Sequence, residues 1–181
     1  MLKRFRTSRG YGVHSPFAFR LITQVLRNHT NYYVFNRKYY CSRHIVRQSR
    51  HSAAFSRLLF RIAMFFRPKH IVFLSDVSQE LKFVYRDILR SLGSHKEQTT
   101  LYILSLSMCG YEECCANLIS LMDKDNYVLI IDFRHVEKKQ VKEVKDILDK
   151  RRFGMTFVCS GYSLLHVAMK DLSCNDYKIK I

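Results

Sequence analysis

LLFRIAMFFRPKHIVFLSDVSQELKF, residues 58–83, holds three elements with readable boundaries. Leu58, Leu59, Ile62 and Phe66, with Phe55 before them, recur at helical spacing, and Arg57 and Arg61 fall elsewhere. Ser52 opens this helix, and Pro68 ends it because the residue before a proline is pushed out of helix. Ile71-Val72-Phe73-Leu74 is a short continuous apolar run, the pattern of a strand buried on both faces. Ser75-Asp76-Val77-Ser78-Gln79 is then a tight turn into a second helix, with Leu81, Val84, Tyr85, Ile88, Leu89 and Leu92 on one face and Gly93 as its stop. In an α/β protein the turn after such a strand is where a phosphate or nucleotide sits, so function concentrates on this turn.

Upstream, Ser15 and Pro16 suit an N-cap and a first helical position. Ala18, Leu21, Ile22, Val25 and Leu26 then give one apolar helical face over residues 16–28. Residues 29–51 interleave Tyr32, Tyr33, Phe35, Tyr39 and Tyr40 with Arg37, Lys38, Arg43, Arg47 and Arg50. Aromatics between cations can stack bases while the cations track phosphates, or the rings can pack on the main domain.

Downstream, Leu101–Leu106 and Tyr127–Phe133 read as buried strands. A helix with Glu112 and Glu113 in its first turn lies between them, and a Lys-rich amphipathic helix follows, ended by Gly154. Met155–Cys159, Leu164–Met169 and Tyr177–Ile181 are three closely spaced strand-like runs. In the last, Tyr177, Ile179 and Ile181 alternate with Lys178 and Lys180, which suits an edge strand. Alternating strands and helices followed by an antiparallel-looking ending predict an α/β fold with a mostly parallel sheet and helices on both faces. Residues 1–51 read as a basic helical extension and 52–181 as the α/β domain.

The net charge of +16 is unevenly placed. Residues 1–75 hold 15 Lys/Arg and no acid, whereas residues 76–181 hold 16 Lys/Arg and all 15 acids. Residues 1–70 would therefore attract a polyanion: RNA, DNA or an acidic protein. No apolar run approaches the roughly 18 residues that span a bilayer, and the N-terminus lacks a secretory apolar core. The expectation is a cytoplasmic chain with reduced thiols. The cysteines at 41, 109, 114, 115, 159 and 174 lack the paired spacing of a zinc site.

Gly10-Tyr11-Gly12-Val13-His14-Ser15-Pro16-Phe17-Ala18-Phe19 resembles the G-V-H-S-P-F segment of a group of bacterial class I S-adenosylmethionine-dependent methyltransferase-like proteins. The helix–Pro-Lys–strand unit 58–74 is similar to the same group, as are Met169-Lys170-Asp171-Leu172 and Asp176-Tyr177-Lys178-Ile179, which resemble its closing hairpin. The resemblance implies a Rossmann-like three-layer sandwich in which the last strand inserts antiparallel, with S-adenosylmethionine as cofactor. It places Ser75, Asp76 and Ser78 at the cofactor turn, although the family's glycine-rich turn is here free of glycine, so a Cβ at each position narrows the approach. Leu101–Ser107 offers Ser105 and Ser107 where the family has an acid for the ribose hydroxyls. The chain is also short for the family, which implies a lost or reduced β–α unit. Asp132-Phe133-Arg134-His135 matches the family's D-x-x-H at a central strand end.

Asp132 and His135 are thus the candidate catalytic pair, or else Asp132 caps the following helix. Asp76 and Ser78 either contact a nucleotide or cap their helix, with Gln79 three residues on as in a capping box. His14 and Arg134 are the candidates for substrate contact. Three functions follow: a methyltransferase-like protein with a degenerate cofactor site and weak or lost catalysis, an active methyltransferase with an atypical loop, and a basic nucleic-acid-binding or interaction module.

Overall fold

The computed structural model describes residues 15–28, 53–75, 99–106, 110–122, 124–134, 136–150, 153–159, 163–172 and 175–179. Their elements are α1 (Pro16–Leu21), a π-helical turn (Ile22–Leu26), α2 (Ala53–Phe66), β1 (His70–Phe73), β2 (Thr100–Ser105), α3 (Tyr111–Met122), β3 (Tyr127–Asp132), α4 (Lys138–Asp149), β4 (Met155–Cys159), β5 (Ser163–Ala168) and β6 (Asn175–Ile179). The expected helix after Gln79, Ser52, the 29–51 segment and the 51/52 boundary lie outside the described residues.

The strands form one mixed sheet in the order β1-β2-β3-β5-β4-β6. β1, β2 and β3 are parallel, as are β4 and β6, while β5 runs antiparallel to both β3 and β4. The fold is therefore α/β. Each side of the sheet has its own core. On one, Leu101, Ile103, Val128, Ile130, Phe157 and Val167 pack with Leu21, Ile22, Leu59 and Ile62 from α1, the π turn and α2. On the other, Leu104, Leu129, Ile131 and Leu164 pack with Leu118 of α3 and Val144 and Leu148 of α4. All six residues of β3 are buried, as an unbroken apolar run covered on both faces requires.

Local chemistry sets the helix boundaries. The Ser15 hydroxyl accepts the Ala18 N–H at 3.3 Å, and Pro16 starts α1 without forfeiting a bond. The helix then widens: the Arg27 N–H reaches back five residues to the Ile22 carbonyl at 3.0 Å. Beside this turn the Thr23 hydroxyl donates to the Phe19 carbonyl at 2.8 Å, a side chain competing for the backbone ladder. α2 ends at Phe66 before Pro68, with Arg67 at φ 44°.

The structure corrects four sequence expectations. The 71–74 run is not buried on both faces: among the described strands β1 lies at the edge and its Val72 is exposed, because a strand with one described neighbour receives less cover than its composition suggests. α2 is buried nearly all round, with every side chain from Leu58 to Ala63 at most 9% exposed, including Arg61. α4 ends at Asp149, so Gly154 is not its stop. Gly154, at φ 115°, instead leads into β4, where an added Cβ would lie 3.0 Å from the Val167 carbonyl oxygen and 3.1 Å from the His166 ring. The inserted antiparallel strand is β5. The last strand, β6, lies at the sheet edge and runs parallel to β4, with the Tyr177 ring stacked 5.1 Å from Phe157.

Candidate functional site

Parallel strands bring their C-terminal ends together, and that end of the sheet gathers Ser75, Ser105 and Asp132. Ser105 stands opposite Asp132 in the β2–β3 register. The buried Ser75 hydroxyl accepts the Ser105 N–H at 3.0 Å, tying the end of β1 to that of β2. The Asn117 side chain of α3 donates to the Leu74 carbonyl at 3.1 Å. The Leu106 N–H donates to the Asp132 carbonyl at 3.2 Å, extending the ladder one residue past β2.

Asp132 is 2% exposed, and its carboxylate is gripped by Arg134 two residues on. Oδ1 accepts the Arg134 backbone N–H at 3.2 Å, Nε lies 3.0 Å from both carboxylate oxygens, and Nη2 donates to Oδ2. Such a two-pronged contact is among the stronger charge-assisted arrangements. The guanidinium carbon also sits 5.6 Å from the Phe55 ring centroid, so Arg134 joins the end of β3 to α2. Asp132 does not cap α4, whose N-cap position is Glu137 with no side-chain cap bond.

Of the sequence candidates, Ser75, Asp132 and Arg134 are therefore at one end of the sheet. Ser75 has a structural bond, and Arg134 turns onto Asp132. His14, Asp76, Ser78 and His135 lie outside the described residues. Sequence reasoning missed Asn117 and Phe55. Neither carries a sequence signal, since each acts on a partner far along the chain. The Asp132–Arg134 pairing had one, the acid–x–arginine spacing at a strand end.

Several polar groups elsewhere are paired. His166 and Thr156 are buried together near the opposite end of the sheet, with Nδ1 and Oγ1 3.0 Å apart. The Tyr111 hydroxyl donates to Glu143, joining α3 to α4. Burial, and then its bonds to Glu143 and Cys115, hold that phenol above its ordinary value. Burial pushes the Cys159 thiol up to about 12, against a smaller opposing effect of Arg61. Cys115 and Cys159 are free thiols, but Cys114 is disulfide-bonded, so the expectation of uniformly reduced cysteines does not hold there. Among the described residues no three His, Cys, Asp or Glu side chains are grouped to hold a metal, and no helix is long and apolar enough to cross a membrane.

No protein-family model, curated protein or solved structure matches the chain.

Proposed function

We propose that this chain is a methyltransferase-like protein of the S-adenosylmethionine-dependent class with a degenerate cofactor site and weak or lost catalysis. The Rossmann-like reading of its α/β fold is supported by an antiparallel strand inserted near the end of the chain, although that strand is β5 and not, as the resemblance implies, the last one. The observation that carries the functional half is the Asp132–Arg134 clasp. A carboxylate held by the backbone N–H, Nε and Nη2 of one arginine is poorly placed to take a proton or orient a substrate.

The cofactor does not fit the described residues well. The Ser75 hydroxyl already accepts the Ser105 N–H, and Ser105 stands where an acid would hold ribose hydroxyls. β1, which should lead into the cofactor turn, lies at the sheet edge with no described strand beyond it. The Ser75 hydroxyl and the Asp132 carboxylate at this strand end are both already engaged.

Isothermal titration of the full chain with S-adenosylmethionine tests the reading. No binding heat at millimolar cofactor is expected. Micromolar affinity would overturn the degenerate site and restore an active enzyme with an atypical loop.

A further inference from the structure

The α1–α2 layer carries charge of one sign. Residues 15–28 and 53–75 contain six Lys/Arg and no acid. Arg20, Arg57, Arg67 and Lys69 are exposed, and none of the four is ion-paired among the described residues. Leu21, Leu59 and Ile62 account for the layer's packing, so the sheet does not require these cations. Like charges held together on one surface repel each other and raise the potential felt by an approaching anion.

The layer also presents rings. Phe65 and Phe17 are half-buried, with centroids 6.3 Å apart in an edge-to-face arrangement. The Arg20 guanidinium lies 6.0 Å from the Phe65 centroid. Arg57, Met64 and Phe65 follow helical spacing along one side of α2, with the buried Arg61 between them, and Arg67 comes just past the helix end. From Arg57 to its last residue, Phe66, the helix rises about 13 Å, the span of about two phosphates of one strand. Cations flanking an accessible ring suit an unstacked base more than a duplex, whose bases face inward.

We propose that this face binds single-stranded nucleic acid, with Arg20, Arg57, Arg67 and Lys69 on phosphates and the Phe65 ring under a base. The interaction does not depend on the methyltransferase reading, and cofactor titration leaves it untouched.

The test is fluorescence anisotropy of the full chain with labelled mixed-sequence RNA and DNA single strands of about 15 nucleotides, and with the matching duplex. The single strands should bind more tightly than the duplex. Their affinity should fall with salt at a log–log slope of about −3, as four phosphate contacts give on a single strand. Arg57→Glu with Arg67→Glu should weaken binding at least tenfold. Phe65→Leu keeps an apolar side chain in the ring cluster and should weaken single strands about fivefold or more, with little effect on the duplex. Arg20→Gln, at an exposed position, gives a second probe of the ring face and should act in the same direction. Salt-independent binding, full affinity after the double reversal, equal losses on duplex and single strand, or tighter binding to poly-glutamate or phosphatidylserine vesicles would each overturn the assignment.

Discussion

α1 and α2 cover one face of the sheet, α3 and α4 the other, and both layers bury alternate residues of the same strands. Leu101, Ile103, Val128 and Ile130 turn toward the first, and Tyr102, Leu104, Leu129 and Ile131 toward the second. Inside, the two layers are equivalent apolar lids; outside, they differ. Residues 137–150, spanning α4, carry five Lys and four acids, with Lys139 and Glu143, Lys142 and Asp146, and Lys145 and Asp149 each one turn apart. The α1–α2 layer has no acid at all. At exposed positions, which packing leaves free, the charges of the first layer are all positive and those of the second are mixed.

The largest effect is expected where the layers meet, at the end of β3. Phe133 packs in the α3–α4 core, while Arg134 reaches over Phe55 of α2. Arg134→Ala leaves the Asp132 carboxylate buried without its main cation, and should cost about 3–5 kcal/mol in urea denaturation. A cost near that of an exposed ion pair, below about 1 kcal/mol, would show that the clasp is a solvated surface contact.

Next comes the equivalence of the two cores. Leu21 in α1 is fully buried, and Leu118 in α3 is 1% exposed. Leu21→Ala and Leu118→Ala should each cost about 2–5 kcal/mol. A small loss at Leu21 beside a large one at Leu118 would make the first layer an appendage to a domain that stands without it.

This contrast also explains what could be read from the chain. Ser15-Pro16, Pro68 and the run Tyr127–Asp132 were legible because caps, breakers and strand composition act within a few residues. The edge position of β1 was not, since Ile71-Val72-Phe73 has the same composition as a central strand and sheet order depends on distant pairings. The site was half legible. A strand ending in Asp132 could be found by pattern, but the return of Arg134 onto that carboxylate depends on the conformation of the turn. The Ser75–Ser105 bond links residues thirty apart, and burial of Arg61 depends on the Asn28 carbonyl, which lies 2.5 Å from its Nη1.

Alkaline pH distinguishes the cores further. Cys159 lies in the α1–α2 core, where burial raises its thiol from 9.0 to about 12. Below 9.0 the folded and unfolded chains both hold the proton. Between 9.0 and about 12 the unfolded chain releases it while the folded chain keeps it, so this contribution to stability is lost as pH rises. The stability difference between wild type and Cys159→Ala should therefore be constant below pH 9 and shift against wild type above it. A difference independent of pH up to 12 would contradict the burial of the thiol.

The smallest effect tests the outer surfaces directly. Ser15 caps α1, and Gly110 occupies the corresponding position before α3, where an added Cβ would meet nothing within 4 Å. Asp and Ser are comparable N-caps, so Ser15→Asp changes mainly charge. It places an anion at a helix N-terminus in a layer that carries cations and no acid, and should gain about 0.3–1 kcal/mol at low ionic strength. At Gly110 the matching change is measured between Gly110→Asn and Gly110→Asp, again two comparable caps. There the new acid stands beside Glu112 and Glu113, whose repulsion offsets the same helix dipole. The gain at residue 15 should exceed that at residue 110, and the gap should close in 1 M salt, where the screening length falls to about 3 Å. Equal gains at both caps, or a gap that persists in high salt, would mean that the sign of the surrounding charge does not distinguish the two layers.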